Sequence, residues 1–139
     1  MRIPSRHPQW QDRLGWVIAA WAGHDYAHRW GHDCVGFILL AIEAVSGERL
    51  IFDGARPYRS PAGQARWLRD MGWRDLLDAA DACLGERIPP LAAHAGDVVS
   101  DGSTLGVMTH AGPMAFGEEG LKRMAVNSIV AAWPVGRAG

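Results

Sequence analysis

Apolar residues follow two different patterns along this chain. Up to about residue 84 they recur at spacings of three and four, as on helices with one buried face. From Gly96 onward they come in short runs separated by Gly, Asp and Ser, as in strands joined by turns. The strongest helical pattern is Val35, Ile38, Leu39, Ile42 and Val45. It predicts a buried helix from about Cys34 to Ser46, stopped by Gly47. Asp33 is placed to cap it, because its carboxylate can accept an orphan N–H of the first turn. Pro8 can open an earlier helix with Trp10, Leu14, Val17 and Ile18 on one face. Ser60-Pro61 pairs a capping residue with Pro at the first helical position and starts a short helix through Met71. Gly72 breaks it. Trp73 to Leu84 reads as a further helix, with Trp73, Leu76, Leu77, Ala80 and Leu84 inward and Gly85 at its end.

Between the first two helices, Trp21 to Gly31 is polar and glycine-flanked, and reads as a loop. Leu50-Ile51-Phe52 is an isolated apolar run followed by an Asp53-Gly54 turn signal. Ile88-Pro89-Pro90 reads as a linker. The expected strands are Asp97 to Ser100, Leu105 to His110, Met114 to Phe116, Lys122 to Val126 and Ile129 to Val135. Helices first and strands second predict an α+β fold, its N-terminal helices packed on a small antiparallel sheet. Residues 1–139 are expected to form a single domain, with a helical part over about 8–84 and a β-meander over about 96–135.

Composition narrows the function classes. The 139 residues suit one domain with a real core. A formal net charge of −1 gives no electrostatic reason for a nucleic-acid partner. No apolar run approaches the length of a membrane span, and Met1 to Pro8 lack the apolar stretch of a signal peptide. The two cysteines, Cys34 and Cys83, make no disulfide framework. Seven Trp are many for this length, so some are expected in the core and others at an interface.

Cys34 is the leading candidate for chemistry. A thiol at a helix start lies near free N–H groups and the positive end of the helix dipole, which favour the thiolate. The alternative is a small apolar side chain filling a gap in the core. A nucleophilic thiol also needs a base, usually His, oriented by a third group. His7, His24, His28, His32, His94 and His110 are available. His24, His28 and His32 are spaced i, i+4, i+8, and with Cys34 they could make a metal site if the segment were helical. In a loop that spacing means little. Arg49, Arg56, Arg59, Arg66, Arg69 and Arg74 are interleaved with Glu48, Asp53, Asp70 and Asp75, which reads as a solvated, salt-bridged surface.

The ordered set of motifs resembles a known family. Asp33-Cys34 opens a buried helix, a helical insertion follows, and then come Gly96-Asp97-Val98-Val99 and Leu105-Gly106-Val107-Met108. This order resembles the bacterial cell-wall cysteine peptidases of the NlpC type, which have a papain-like fold. It is more closely similar to a phage- and prophage-encoded branch of that fold. That branch has Trp30-Gly31-His32-Asp33-Cys34, Arg56-Pro57-Tyr58-Arg59, Gly117-Glu118-Glu119-Gly120-Leu121 and Ala132-Trp133 in the same order. The resemblance implies that Cys34 is the nucleophile, active or vestigial. It also implies that a general-base His should open the second strand. Thr104 stands at that position, and a threonine hydroxyl cannot take a proton from a thiol near neutral pH. His110 is six residues further along the strand, about 20 Å away at the rise of a β-strand. His32 precedes the helix. Both are weak candidates for the base.

The resemblance therefore implies a structural or assembly component of a phage tail, at the tip or hub, with a peptidase-like fold. Its partners would be other tail-tip and hub proteins, with peptidoglycan a further one. It would reach the virion after assembly in the bacterial cytoplasm. The alternative is an active cysteine hydrolase cutting peptidoglycan stem peptides. No cofactor is expected. A metal-binding module built on His24, His28, His32 and Cys34 is the third option.

Overall fold

A computed structural model describes residues 3, 5–27, 33–50 and 58–137. Four α-helices precede five strands, an α+β architecture: α1 (Trp10–Trp21), α2 (Cys34–Ser46), α3 (Pro61–Asp70) and α4 (Leu76–Leu84), then β1 (Val98–Ser100), β2 (Leu105–Thr109), β3 (Gly112–Gly117), β4 (Gly120–Arg123) and β5 (Ala131–Trp133).

α2 is the centre of the molecule. It is apolar almost all round, and a helix of that kind has to be buried. Ten of its residues are buried, from Cys34 to Ser46. Gly47 ends it at φ 79°, a left-handed conformation that glycine adopts without steric cost. α1 lies antiparallel against it. Near the start of α1, the Arg13 guanidinium donates to the carbonyls of Ala44 and Glu43 at 2.8 and 3.1 Å. At the far end, Trp21 packs edge-on against Phe37 at 5.7 Å.

The sheet covers another side of α2. Its strand order is β4-β3-β2-β1-β5, with every pair antiparallel. Side chains alternate between its two faces. Val98, Leu105, Val107, Phe116, Ala131 and Trp133 join α2 in the main core, while Val99 and Ala132 meet Ile88, Met108, Met124 and Ile129 on the other face. Gly106 sits opposite Val99 on that second face. A Cβ there would stand 2.5 Å from the Met124 sulfur and 2.6 Å from the Met114 carbonyl oxygen, so only glycine fits. A third cluster, Tyr58, Trp67, Leu68 and Ala79, holds α3 to α4.

The helical pattern of α1, α2 and α3 is close to expectation. α4 is shorter than expected: it begins at Leu76, not Trp73, because Asp75 takes the capping role and accepts the Asp78 N–H at 2.8 Å. The 88–90 segment is not a free linker. The Ile88 N–H donates to Ala132 at 2.9 Å, and Pro90–Ala92 form a 3-10 turn. The β-meander holds only for β1 to β4. β5 returns to pair with β1, and Val126, expected to end the strand that starts at Lys122, instead opens a 3-10 turn, Val126–Ser128, before it. His7 is anchored, its N–H donating to Val45 at 2.8 Å. In the Arg-rich stretch, Arg49 pairs with Glu43 and Arg74 with Asp78, not with the acids interleaved in sequence. The Ile51-Phe52 run, the Asp53-Gly54 turn and Arg56-Pro57 lie outside the described residues, as do His28 and Trp30 to His32.

Trp133 is fully buried between helix and sheet. Its indole N–H donates to Asp81 at 2.9 Å, and the Arg87 guanidinium, itself bonded to Asp81, lies 5.4 Å from the ring. Trp133→Ala should lower the unfolding free energy by about 3–5 kcal/mol, measured by denaturant titration. A loss below about 1 kcal/mol would contradict this placement.

Candidate functional site

Cys34 is the first residue of α2, and Asp33 is its N-cap. The Asp33 carboxylate is fully buried and divides its two oxygens between two helices. Oδ1 accepts the Gly36 N–H at 3.1 Å, which satisfies one of the orphan donors at the start of α2. Oδ2 accepts the Tyr58 hydroxyl and, at 3.2 Å, the Gln64 amide. Gln64 also donates to the Tyr58 oxygen at 3.1 Å. Ser60 caps α3 by accepting the Gly63 N–H at 3.0 Å, so Tyr58 and Gln64 are held on either side of a fixed helix start. The first turn of α3 is thereby fastened to the first turn of α2.

This arrangement disfavours the thiolate form of Cys34. The side chain is only 9% exposed. Burial, and then the negative charge of Asp33, push its thiol up to about 11. The amide N–H groups of Leu105, Val35 and Cys34 itself pull the other way and are outweighed. The expected gain from the helix N-terminus is therefore present but insufficient, and the thiol is protonated at neutral pH. Among the described residues, two phenols also feel the thiol. Burial, then the charges of Cys34, Asp33 and Glu118, push Tyr26 up to about 12. Tyr58 is also raised, first by burial and then by its bond to Asp33.

Thr104 immediately precedes Leu105, whose amide acts on Cys34, so the start of β2 does lie beside the thiol. The Thr104 N–H donates to Asp101 at 2.9 Å, and its carbonyl accepts from Ser100 at 2.9 Å. The residue lines an open cleft of about 500 Å³ with Asp101, Glu118, Lys122, Arg123 and Ser128. His110 is placed elsewhere. It lies in the turn beyond β2, 6.4 Å from the Trp10 ring. His24 stacks on Trp21 at 4.9 Å and bonds the Ala20 carbonyl through Nδ1 at 2.9 Å. His94 precedes β1, its backbone N–H on Asp97. Among the described residues no group of three or more His, Cys, Asp or Glu gathers to hold a metal. His28 and His32 lie outside the described residues.

Residues 5–135 match the family described as Domain of unknown function (DUF6950). The chain belongs to that family. No curated protein and no solved structure matches it. The DUF6950 match spans the Cys34 helix, the α3–α4 pair and all five strands, so the geometry above lies within the family's own extent. Sequence reasoning did not find Tyr26 or Gln64 for this site, and it took Tyr58 only as part of a motif. The spacing of Tyr58, the Ser60 cap and Gln64 is the one local signal, since it sets both side chains at the mouth of a helix.

The raised thiol has a pH signature. An unfolded chain releases this proton at its ordinary value of 9.0, before the folded one does at about 11. The stability linked to Cys34 is therefore complete below about pH 9 and is lost as pH rises toward 11, a difference of about 2–3 kcal/mol. Urea unfolding between pH 8 and 11 should show a flatter decline for Cys34→Ala than for the native chain. Equal slopes would contradict the assignment. Asp33→Asn, which keeps a capping oxygen but removes the charge, should speed alkylation of Cys34 at pH 8.

Proposed function

We propose that this DUF6950 chain is a structural, assembly-type protein with a papain-like, NlpC-like fold, and that it serves in a phage tail at the tip or hub. The observation that carries this reading is the state of the thiol. Cys34 is buried beside a buried carboxylate and is protonated at neutral pH. A hydrolytic cysteine needs the opposite, an electropositive setting that yields the thiolate. Thr104, adjacent to the residue whose amide acts on the sulfur, has no group that could accept the thiol proton. A capped helix bearing Cys34 against an antiparallel sheet supports the NlpC-like architecture, and the motif order supports the tail location.

One feature favours the hydrolase alternative. The amides of Leu105, Val35 and Cys34 converge at the thiol, and such donors can also serve a developing oxyanion. Base catalysis contributes about 10²–10⁴-fold, so its loss would leave at most a residual rate.

Purified protein incubated with peptidoglycan stem peptides should give no product that depends on Cys34, judged against Cys34→Ala. In particles lacking the native chain, Cys34→Ala should restore tail assembly as fully as the native chain does. Turnover that vanishes in Cys34→Ala, or assembly that fails only with that variant, would overturn the structural role. His32→Ala would then identify the base. Thr104→His should lower the pKa of Cys34, seen as faster alkylation at mildly acidic pH. An unchanged rate would show that residue 104 does not occupy the base position.

A further inference from the structure

The outer face of α1 lacks the charges that a solvated helix normally carries. From Leu14 to Gly23 there is no charged residue, yet Gly15, Trp16, Ala19, Ala20, Ala22 and Gly23 are all exposed. α3 shows the contrast: its exposed positions include Arg66, Arg69 and Asp70. Trp16 is 67% exposed, and Leu40 on α2 is 42% exposed. Both line a groove of about 350 Å³ between the two helices, with Val17 and Ala20 on its floor and Arg13 and Arg49 at one end. Cβ atoms built at Gly15 and Gly23 would meet nothing within 4 Å, so both positions are open to solvent. Single exposed apolar residues need no explanation, but a contiguous face of them marks an interaction site.

We propose that this face pairs with the same face of a second copy of the chain, around a two-fold axis running along the helices. Such an axis sets α1 of one copy over α2 of the other. Because α1 and α2 are antiparallel within the chain, the helices facing each other across the interface are antiparallel as well, and their dipoles attract. Trp16 and Leu40 each lie about 9 Å from the same end of the helix pair, at the rise of an α-helix. The symmetry therefore seats each indole on Leu40 of the second copy.

Charge argues for the same arrangement. Among the described residues of the two helices, the charged groups of this face are Asp12 and Arg13 on α1 and Glu43 near the end of α2, with Arg49 just beyond it; exposed Asp25 follows the other end of α1. The axis brings exposed Asp12 against Arg49 of the second copy, whose side chain is 72% exposed while paired with Glu43 of its own chain, and sets opposite signs together on both sides. An isologous interface needs this self-complementarity, with knob, groove and both signs in one patch. Two helices of this length cover about 400 Å² per copy, below the roughly 800 Å² of a standard stable interface. The pairing is therefore weak in dilute solution and depends on concentration. It involves neither Cys34 nor its chemistry, so its failure and the failure of the structural role are distinguishable.

The test is sedimentation equilibrium of the purified full chain from about 10 μM to about 1 mM, a range matched to a small, transient interface. Concentration-dependent dimers are expected. Trp16→Glu and Leu40→Lys, both at exposed positions, should keep the native circular dichroism and thermal transition while weakening the dimer about 100-fold or more. Asp12→Arg and Arg49→Asp should each weaken it about 3- to 5-fold, and the double variant should restore it, since rim pairs of this kind contribute modestly. A chain that stays monomeric over the whole range would overturn the proposal. So would a dimer indifferent to Trp16→Glu, or one that the double charge reversal fails to restore.

Discussion

The buried carboxylate of Asp33 is the interaction on which most of this structure depends. A charge taken fully out of water is tolerated only when its oxygens are well bonded. Asp33 meets that condition with three donors, from Gly36, Tyr58 and Gln64. One donor defines the start of α2 and the other two fasten α3 to it. Burial first, and the same negative charge as a lesser cause, raise Cys34, Tyr26 and Tyr58 together. Fold and chemistry are therefore coupled here: the group that closes the helical half of the molecule also keeps the thiol protonated.

A second buried carboxylate does comparable work at the other end of the sheet. Asp97 bonds Arg6 at 3.0 Å and also pairs with Arg137. It further accepts the backbone N–H groups of His94 and Val135, at 2.8 and 3.1 Å. Arg6 reaches the carbonyls of Ala95 and Val135 as well, and lies 4.3 Å over the Trp10 ring. Residues near both ends of the described chain thus meet at the start of β1. Fixing distant segments through one charge is costly to undo, because removing either partner leaves a buried ion without compensation.

These two centres leave different surfaces for function. The Cys34 end holds a buried carboxylate and a thiol whose pKa is raised by burial and then by that charge. The α1–α2 face is open, with both signs of charge at Asp12, Arg13, Glu43 and Arg49 and with Trp16 standing out from it. Apolar exposure of that kind is costly in water unless a partner covers it.

The sequence by itself determined the local elements. The three-and-four spacing after Asp33, the Ser60-Pro61 start and the terminating Gly47 and Gly85 each act within a few residues, and α2 and α3 form where they predict. The change to short runs after Gly96 likewise marked the sheet. Other features belong to tertiary structure alone. β5 pairs with β1 because Trp133 completes the core under α2, a contact between residues more than thirty positions apart. Ile88 docks because β5 offers it a free strand edge. The state of Cys34 was read from sequence as a balance of helix dipole against packing, and neither term decided it. Desolvation and a neighbouring charge did, and both depend on what the folded chain places around the sulfur, which no spacing along the sequence records.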